Sequence, residues 1–116
     1  MNICVNGSRE FSDYFLLDRT LEERLGKDKS GYKLILGGAR GADRLAQVYA
    51  ELHNVQFQVI TPDWDKHGRK AGILRNIEML KISQELISFW DGKSPGTSHA
   101  IQWAKANGIP TTIIRF

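Results

Sequence analysis

Five short apolar runs alternate with four segments whose apolar residues recur at helical spacing, and this alternation restricts the fold more than any other feature. The runs that read as strands are NICV, YKLIL, VQFQVI, ELISFW and TTIIRF. Between successive runs there is enough chain for a crossover helix of about ten to fifteen residues. The pattern predicts one α/β domain over residues 1–116, with a mostly parallel five-stranded sheet and helices on both faces.

The helices are predicted over residues 11–27, 42–53, 69–83 and 95–107. Ser12 and Ser94 are the expected N-caps of the first and last helices, because a serine hydroxyl accepts a hydrogen bond from an unpaired N–H of the first turn. The third helix is expected to bury one apolar face against the sheet. That face carries Ile73, Ile77 and Leu80.

Composition and charge exclude several classes of protein. The chain has 116 residues, 41% of them hydrophobic and 25% charged, as in a typical globular protein. No apolar run reaches the length of a membrane span, and the first ten residues lack the basic and apolar regions of a signal peptide. The single cysteine, Cys4, cannot form an internal disulfide, so we expect a reducing, cytoplasmic setting. The net charge of +3 permits an anionic ligand, and nucleic acid is not the expected partner.

The unusual residues of the chain all follow predicted strand ends. These loops read NGSRE, GGARGAD, TPDWDKHGRKAG and WDGKSPGT, whereas the opposite connections look like plain turns. In a parallel sheet the carboxyl ends of all strands meet at one edge, where ligands bind. The sequence therefore predicts one ligand site at this edge.

The loops at this edge suit a phosphate group. Gly37 and Gly38 allow a ligand to approach the backbone, and the helix that begins near Gly41 points unpaired N–H groups the same way. SPGT repeats this arrangement at the last helix, and Trp64 and Trp90 are candidates for stacking on a base. Simpler interpretations remain open: the glycines serve only the turns, the tryptophans pack, and the basic residues 66–75 form a solvated helix face.

No standard catalytic or cofactor motif is present. GGARGAD fits neither the dinucleotide fingerprint G-x-G-x-x-G nor the P-loop. His53, His67 and His99 lack metal-ligand spacing, and no Ser-His-Asp or Cys-His set stands out. The sequence predicts neither a metal site nor a bound cofactor.

The ordered set GSR, GGARGAD, P-x-W, HGRKAGILRNIEML and DGKSPGT resembles the YspA/YpsA-related branch of the SLOG superfamily, over about Ile3 to Pro110. That superfamily is Rossmann-like, with strand order 3-2-1-4-5, and is associated with nucleotides and nucleotide-derived molecules. It includes the Lonely guy phosphoribohydrolases and the DNA-processing protein DprA. The resemblance implies that GSR, GGARGAD and GKSPGT line one pocket, with Arg75 reaching in. It also implies self-association by analogy.

One departure from the Lonely guy pattern bears on catalysis. Those enzymes carry P-G-G-x-G-T-x-x-E before their last helix, and Gly96 and Thr97 match the G-T pair. The glutamate position falls on Ala100, which has no acid or base function. Asp91 and Asp43 are the candidate replacements, and Asp91 is preferred because it ends the fourth strand.

These observations predict a module that binds a nucleoside monophosphate or an ADP-ribose-type molecule, for sensing or sequestration. An N-glycosidic hydrolase is the alternative, with Asp91 as its catalytic residue, and DprA-like binding of single-stranded nucleic acid is a weaker one. The expected ligand-binding residues are Gly7, Ser8, Arg9, Gly37, Gly38, Arg40, Gly41, Asp43, Trp64, Arg75, Asn76, Gly92, Ser94, Gly96 and Thr97.

Overall fold

The computed structural model describes residues 1–116 and contains one five-stranded, fully parallel sheet. The strands are β1 (Asn2–Gly7), β2 (Lys33–Leu36), β3 (Gln56–Val59), β4 (Glu85–Trp90) and β5 (Thr111–Arg115). Their order across the sheet is β3-β2-β1-β4-β5. The predicted fold class and strand order are therefore confirmed.

Four helices of 11 or 12 residues and one single-turn helix connect the strands. They are α1 (Tyr14–Leu25), α2 (Ala42–Leu52), α3 (Trp64–His67), α4 (Ala71–Lys81) and α5 (Pro95–Ala106). The α3 turn falls in a stretch that the pattern left as loop, and the 3-10 turn at Gly68–Lys70 includes two residues that were predicted to begin the third helix. Asp63 starts α3, since its side chain accepts a 3.0 Å bond from the Lys66 N–H. No helix is long and apolar enough to cross a lipid bilayer.

The predicted cap of α1 is wrong by one residue. Asp13, not Ser12, is the N-cap, and its carboxylate accepts a 3.0 Å bond from the N–H of Leu16. A carboxylate also interacts favourably with the positive end of the helix dipole, which the Ser12 hydroxyl cannot do as strongly. Ser94 is the N-cap of α5 as predicted, although its side chain makes no capping bond.

Each face of the sheet has its own apolar cluster, because successive strand residues point to opposite faces. In β1, Ile3 and Val5 pack with α1 and α2, whereas Cys4 packs with α4 and α5 on the other face. All three side chains are fully buried. The helices therefore lie two on each face, as in a doubly wound sheet.

The chain reverses its direction across the sheet between β1 and β4. The strands β2 and β3 extend to one side of β1, whereas β4 and β5 extend to the other. In such a sheet a crevice opens at the carboxyl ends of the two strands at the reversal. The loops after β1 and β4 are therefore the elements that position a ligand site.

The buried face of α4 differs from the predicted one. Leu80 is buried as expected, with Met79 and Ala71 beside it, but Ile73 is 42% exposed. It lies instead on the wall of the cavity described next.

Candidate functional site

A cavity of about 500 Å³ lies at the carboxyl ends of β1 and β4, where the strand order predicts a crevice. That volume falls in the range of small-molecule sites, and only two of the 16 lining residues are hydrophobic. The lining residues are Asn6, Gly7, Ser8, Arg9, Glu10, Ala39, Asp43, Arg69, Gly72, Ile73, Arg75, Asn76, Ser94, Pro95, Gly96 and Thr97.

The Ser8 hydroxyl joins the two loops that flank the cavity. Ser8 Oγ lies 3.0 Å from Ser94 Oγ, within hydrogen-bond distance, and accepts a 3.2 Å bond from the N–H of Asp91, and the Ser8 N–H donates to the carbonyl of Phe89. The side chain is almost completely buried. A small hydroxyl therefore fixes the β1 loop against the β4 loop with no room for a larger side chain.

The Asp91 carboxylate is hydrogen-bonded within its own turn. One carboxylate oxygen accepts 2.8 Å bonds from the N–H groups of Lys93 and Ser94, and the other accepts a 3.1 Å bond from Ser94 Oγ. These bonds hold the pKa of Asp91 down at about 2. Asp91 does not line the cavity, and so acidic a group is a weak base at neutral pH.

The Arg75 and Asp43 side chains both approach Gly37, although they form no salt bridge with each other. Arg75 donates from Nη1 to the Gly37 carbonyl and from Nε to Asn76 Oδ1 at 2.9 Å. A Cβ on Gly37 would lie 2.7 Å from both Arg75 Nη1 and Asp43 Oδ2. The glycine therefore makes room for this charged pair, rather than for a ligand as the sequence suggested.

Asp43 is the buried carboxylate of the cavity, only 5% exposed. Its Oδ2 accepts a 3.4 Å bond from the Ala39 N–H, whereas its Oδ1 is buried with no partner within the chain. Burial raises the pKa of Asp43 from its ordinary 3.8 to about 6, and the Arg75 charge opposes that rise. Asp43 thus carries a burial cost that packing does not offset.

Asp43→Asn is expected to stabilise the protein at neutral pH. Between pH 3.8 and about 6 the folded state holds a proton that the unfolded state has released, so stability falls as pH rises through this window. Keeping Asp43 ionised in the folded state costs at most about 3 kcal/mol of folding stability. We expect Asp43→Asn to raise the free energy of unfolding by about 1–2 kcal/mol, because the amide is itself a buried polar group. Urea unfolding should show this gain at pH 7.5 and none at pH 3.5. A less stable Asn variant at pH 7.5 would contradict the prediction.

The amino end of α5 faces the cavity without a cap. The Ser94 side chain is occupied with Ser8 and Asp91, and Pro95 has no N–H. The N–H groups of Gly96 and Thr97 find no backbone acceptor. Unpaired N–H groups and the positive helix dipole together favour an anion at this end.

Positive charge dominates the cavity wall. Three arginines, Arg9, Arg69 and Arg75, line it with two acidic residues, Glu10 and Asp43. Arg9 lies close enough to Arg75 for its charge to lower the pKa of that guanidinium, although burial lowers it more. An anion bound in the cavity would interact favourably with both arginines.

Nine of the residues predicted to bind ligand line this cavity: Gly7, Ser8, Arg9, Asp43, Arg75, Asn76, Ser94, Gly96 and Thr97. The others do not: Gly37, Gly38, Arg40, Gly41, Trp64 and Gly92.

Each residue outside the cavity has its own contacts. Arg40 pairs with Glu10 at 2.8 Å on the exposed surface. Trp64 lines a separate shallow concavity with residues 61–65 and is 55% exposed. Gly38 and Gly92 adopt left-handed backbone conformations in their turns. Trp90 is the other candidate for stacking. The Arg115 guanidinium lies over its ring, with Cζ 5.4 Å from the ring centroid.

Sequence reasoning left several lining residues out of the site. Asn6 lies on β1 itself, where its Oδ1 accepts a bond from Ser88 Oγ, and nothing in the local sequence separates it from a core position. Arg69 belongs to the basic stretch at 66–75, so its positive charge could have indicated a place in an anion-binding site. Ala100, where the related hydrolases have glutamate, is fully buried in the apolar cluster with Cys4 and Met79.

Several known proteins are similar to this chain. The family model described as "YspA, cpYpsA-related SLOG family" matches residues 1–67. Gene 61 protein of Mycobacterium phage D29 is 37% identical over an alignment of 114 residues, and the alignment covers 93% of this chain and 91% of that protein.

Two solved structures of DNA processing protein A have the same fold. The Helicobacter pylori protein, described with a single-stranded DNA binding mode, gives a TM-score of 0.76 at 19% identity. The Streptococcus pneumoniae protein gives 0.77 at 16% identity. They cover 97% and 99% of this chain, which spans only 64% and 50% of theirs. The family-model match and the phage relative together place the chain in the YspA, cpYpsA-related SLOG family.

Proposed function

We propose that this protein binds a nucleoside monophosphate or an ADP-ribose-type nucleotide in the cavity between β1 and β4. The observation that carries the proposal is the convergence of an uncapped helix end and paired arginines on one concave, polar site. The Gly96 and Thr97 N–H groups and the Arg9 and Arg75 guanidinium groups are complementary to phosphate. A volume of about 500 Å³ suits a ligand of nucleotide size.

Binding without hydrolysis is the function that the carboxylates favour. Cleavage of an N-glycosidic bond develops positive charge on the ribose and requires a base for water. Ala100 supplies neither, and Asp91 is held by its turn. The protein therefore acts, in this proposal, as a module that senses or sequesters its nucleotide.

Calorimetry with AMP, ADP-ribose and adenosine tests the proposal. AMP or ADP-ribose should bind, and adenosine should bind at least about tenfold more weakly, because it lacks the charge-assisted bonds to phosphate. Equal affinity for adenosine would remove phosphate from the recognition. Chromatography of the same mixtures should show no free base. Multiple turnover would instead support the hydrolase, and Asp43→Asn would then be the first variant to assay.

A second candidate function is supported by the fold neighbour from Helicobacter pylori, which binds single-stranded DNA. Arg9, Arg69 and Arg75 are equally complementary to a phosphodiester backbone. An oligonucleotide that competes with AMP, with affinity falling steeply as salt rises, would support this function. Failure of the oligonucleotide to displace bound AMP would support a small nucleotide as the ligand.

A further inference from the structure

The buried Asp43 carboxylate has one oxygen whose hydrogen-bonding capacity the protein does not use. The loop amides face Oδ2, and the nearest cation, Arg75, directs its named bonds to Gly37 and Asn76. Oδ1 is buried and has no partner within the chain. Asp43 lines the cavity, and a rotation of its carboxylate that brings Oδ1 to the cavity surface would supply the hydrogen-bond partner that this oxygen lacks within the chain.

The donor that fits Asp43 is a neutral one. Arg9 and Arg75 already lie in the same cavity, and their charges would oppose an ammonium group. An anion such as free phosphate offers no donor to a carboxylate when ionised. A hydroxyl group can donate to the carboxylate without adding charge, and carboxylates bind ribose hydroxyls in this way in dinucleotide-binding folds.

We propose that Asp43 accepts a hydrogen bond from a ribose hydroxyl of the ligand, so that the site selects ribonucleotides over nucleotides that lack hydroxyls on the sugar. The inference rests on the proposed nucleotide function and assigns its sugar specificity. Arg75 connects the two halves of the site, because it lies beside Asp43 and near Arg9 on the phosphate side. Asp43 keeps a stability cost at neutral pH that a ligand hydroxyl would offset.

The experiment compares AMP with 2′,3′-dideoxyAMP on the wild-type protein and on Asp43→Asn. Wild type should bind AMP at least about tenfold more tightly, the range for a hydrogen bond to a charged group. In Asp43→Asn the two affinities should converge, and dideoxyAMP should bind no more weakly than to wild type. Glu23→Gln, an exposed change on α1 outside the cavity, is the matched control and should keep the wild-type ratio.

The outcomes separate the inference from the function beneath it. Equal binding of AMP and dideoxyAMP to wild type would overturn the role of Asp43 and leave nucleotide binding intact. An undiminished ratio in folded Asp43→Asn would also overturn it, since another residue would then read the sugar. Binding of neither nucleotide to wild type would overturn both proposals. The wild-type comparison stands even if the variant does not fold.

Discussion

Gly41→Ala is expected to lower the free energy of unfolding by about 2–5 kcal/mol, the sum of a left-handed backbone cost and an overpacking cost. Gly41 has a φ of +84° and is the N-cap of α2. A Cβ there would clash with the Ser8 carbonyl and lie 2.7 Å from the Arg9 carbonyl. Both contacts are backbone, so no side-chain rotation relieves them. Urea unfolding measures the effect.

Gly31→Ala is the control for Gly41→Ala. A Cβ on Gly31 meets nothing within 4 Å, and its φ is not in the left-handed region. The free energy of unfolding of Gly31→Ala should stay within about 0.5 kcal/mol of wild type, as for an ordinary surface substitution. A Gly41→Ala protein as stable as Gly31→Ala would mean that the β1 loop and the start of α2 do not pack as described.

Arg75→Ala is expected to weaken nucleotide binding by about 3 kcal/mol, the upper end for bonds to a charged group because a guanidinium can make two of them. Arg75→Lys should recover only part of the loss, since an ammonium cannot reproduce the planar pair of donors. Calorimetry with AMP at pH 7.5 measures both. Removing the guanidinium also leaves Asp43 without its neighbouring cation, so the pKa of Asp43 should rise further.

Arg19→Ala is the matched control for Arg75→Ala. Arg19 is an exposed arginine of α1 and does not line the cavity. Its removal changes the net charge by the same amount and should leave AMP affinity unchanged. Equal losses in the two variants would mean that binding depends on overall charge rather than on the cavity, and unchanged affinity in folded Arg75→Ala would remove Arg75 from the site.

The periodic features of the sequence were sufficient to predict the fold. The features that they did not predict depend on tertiary contacts. Alternation of strands and helices is a local property, and the residues that follow the strand ends, such as Ser8 and Asp43, do reach one cavity. The role of Gly37 was not visible, because the groups that fill its space come from α2 and α4. The exposure of Ile73 likewise depends on its place at the cavity wall, which helical periodicity does not encode.

The place of β1 in the sheet also constrains how the chain can fold during synthesis. β1 pairs with β4 in a register that joins Ile3 to Glu85 and Gly7 to Phe89, so its second neighbour is made some 80 residues later. Until then, the edge of β1 opposite β2 is open, and the Ser8 loop lacks its bonds to β4 and to the loop that follows β4. A ribosome working at about 5–20 residues per second leaves that edge exposed for seconds. The cavity is therefore among the last parts of the molecule to form, because its wall is incomplete until the start of α5 has emerged.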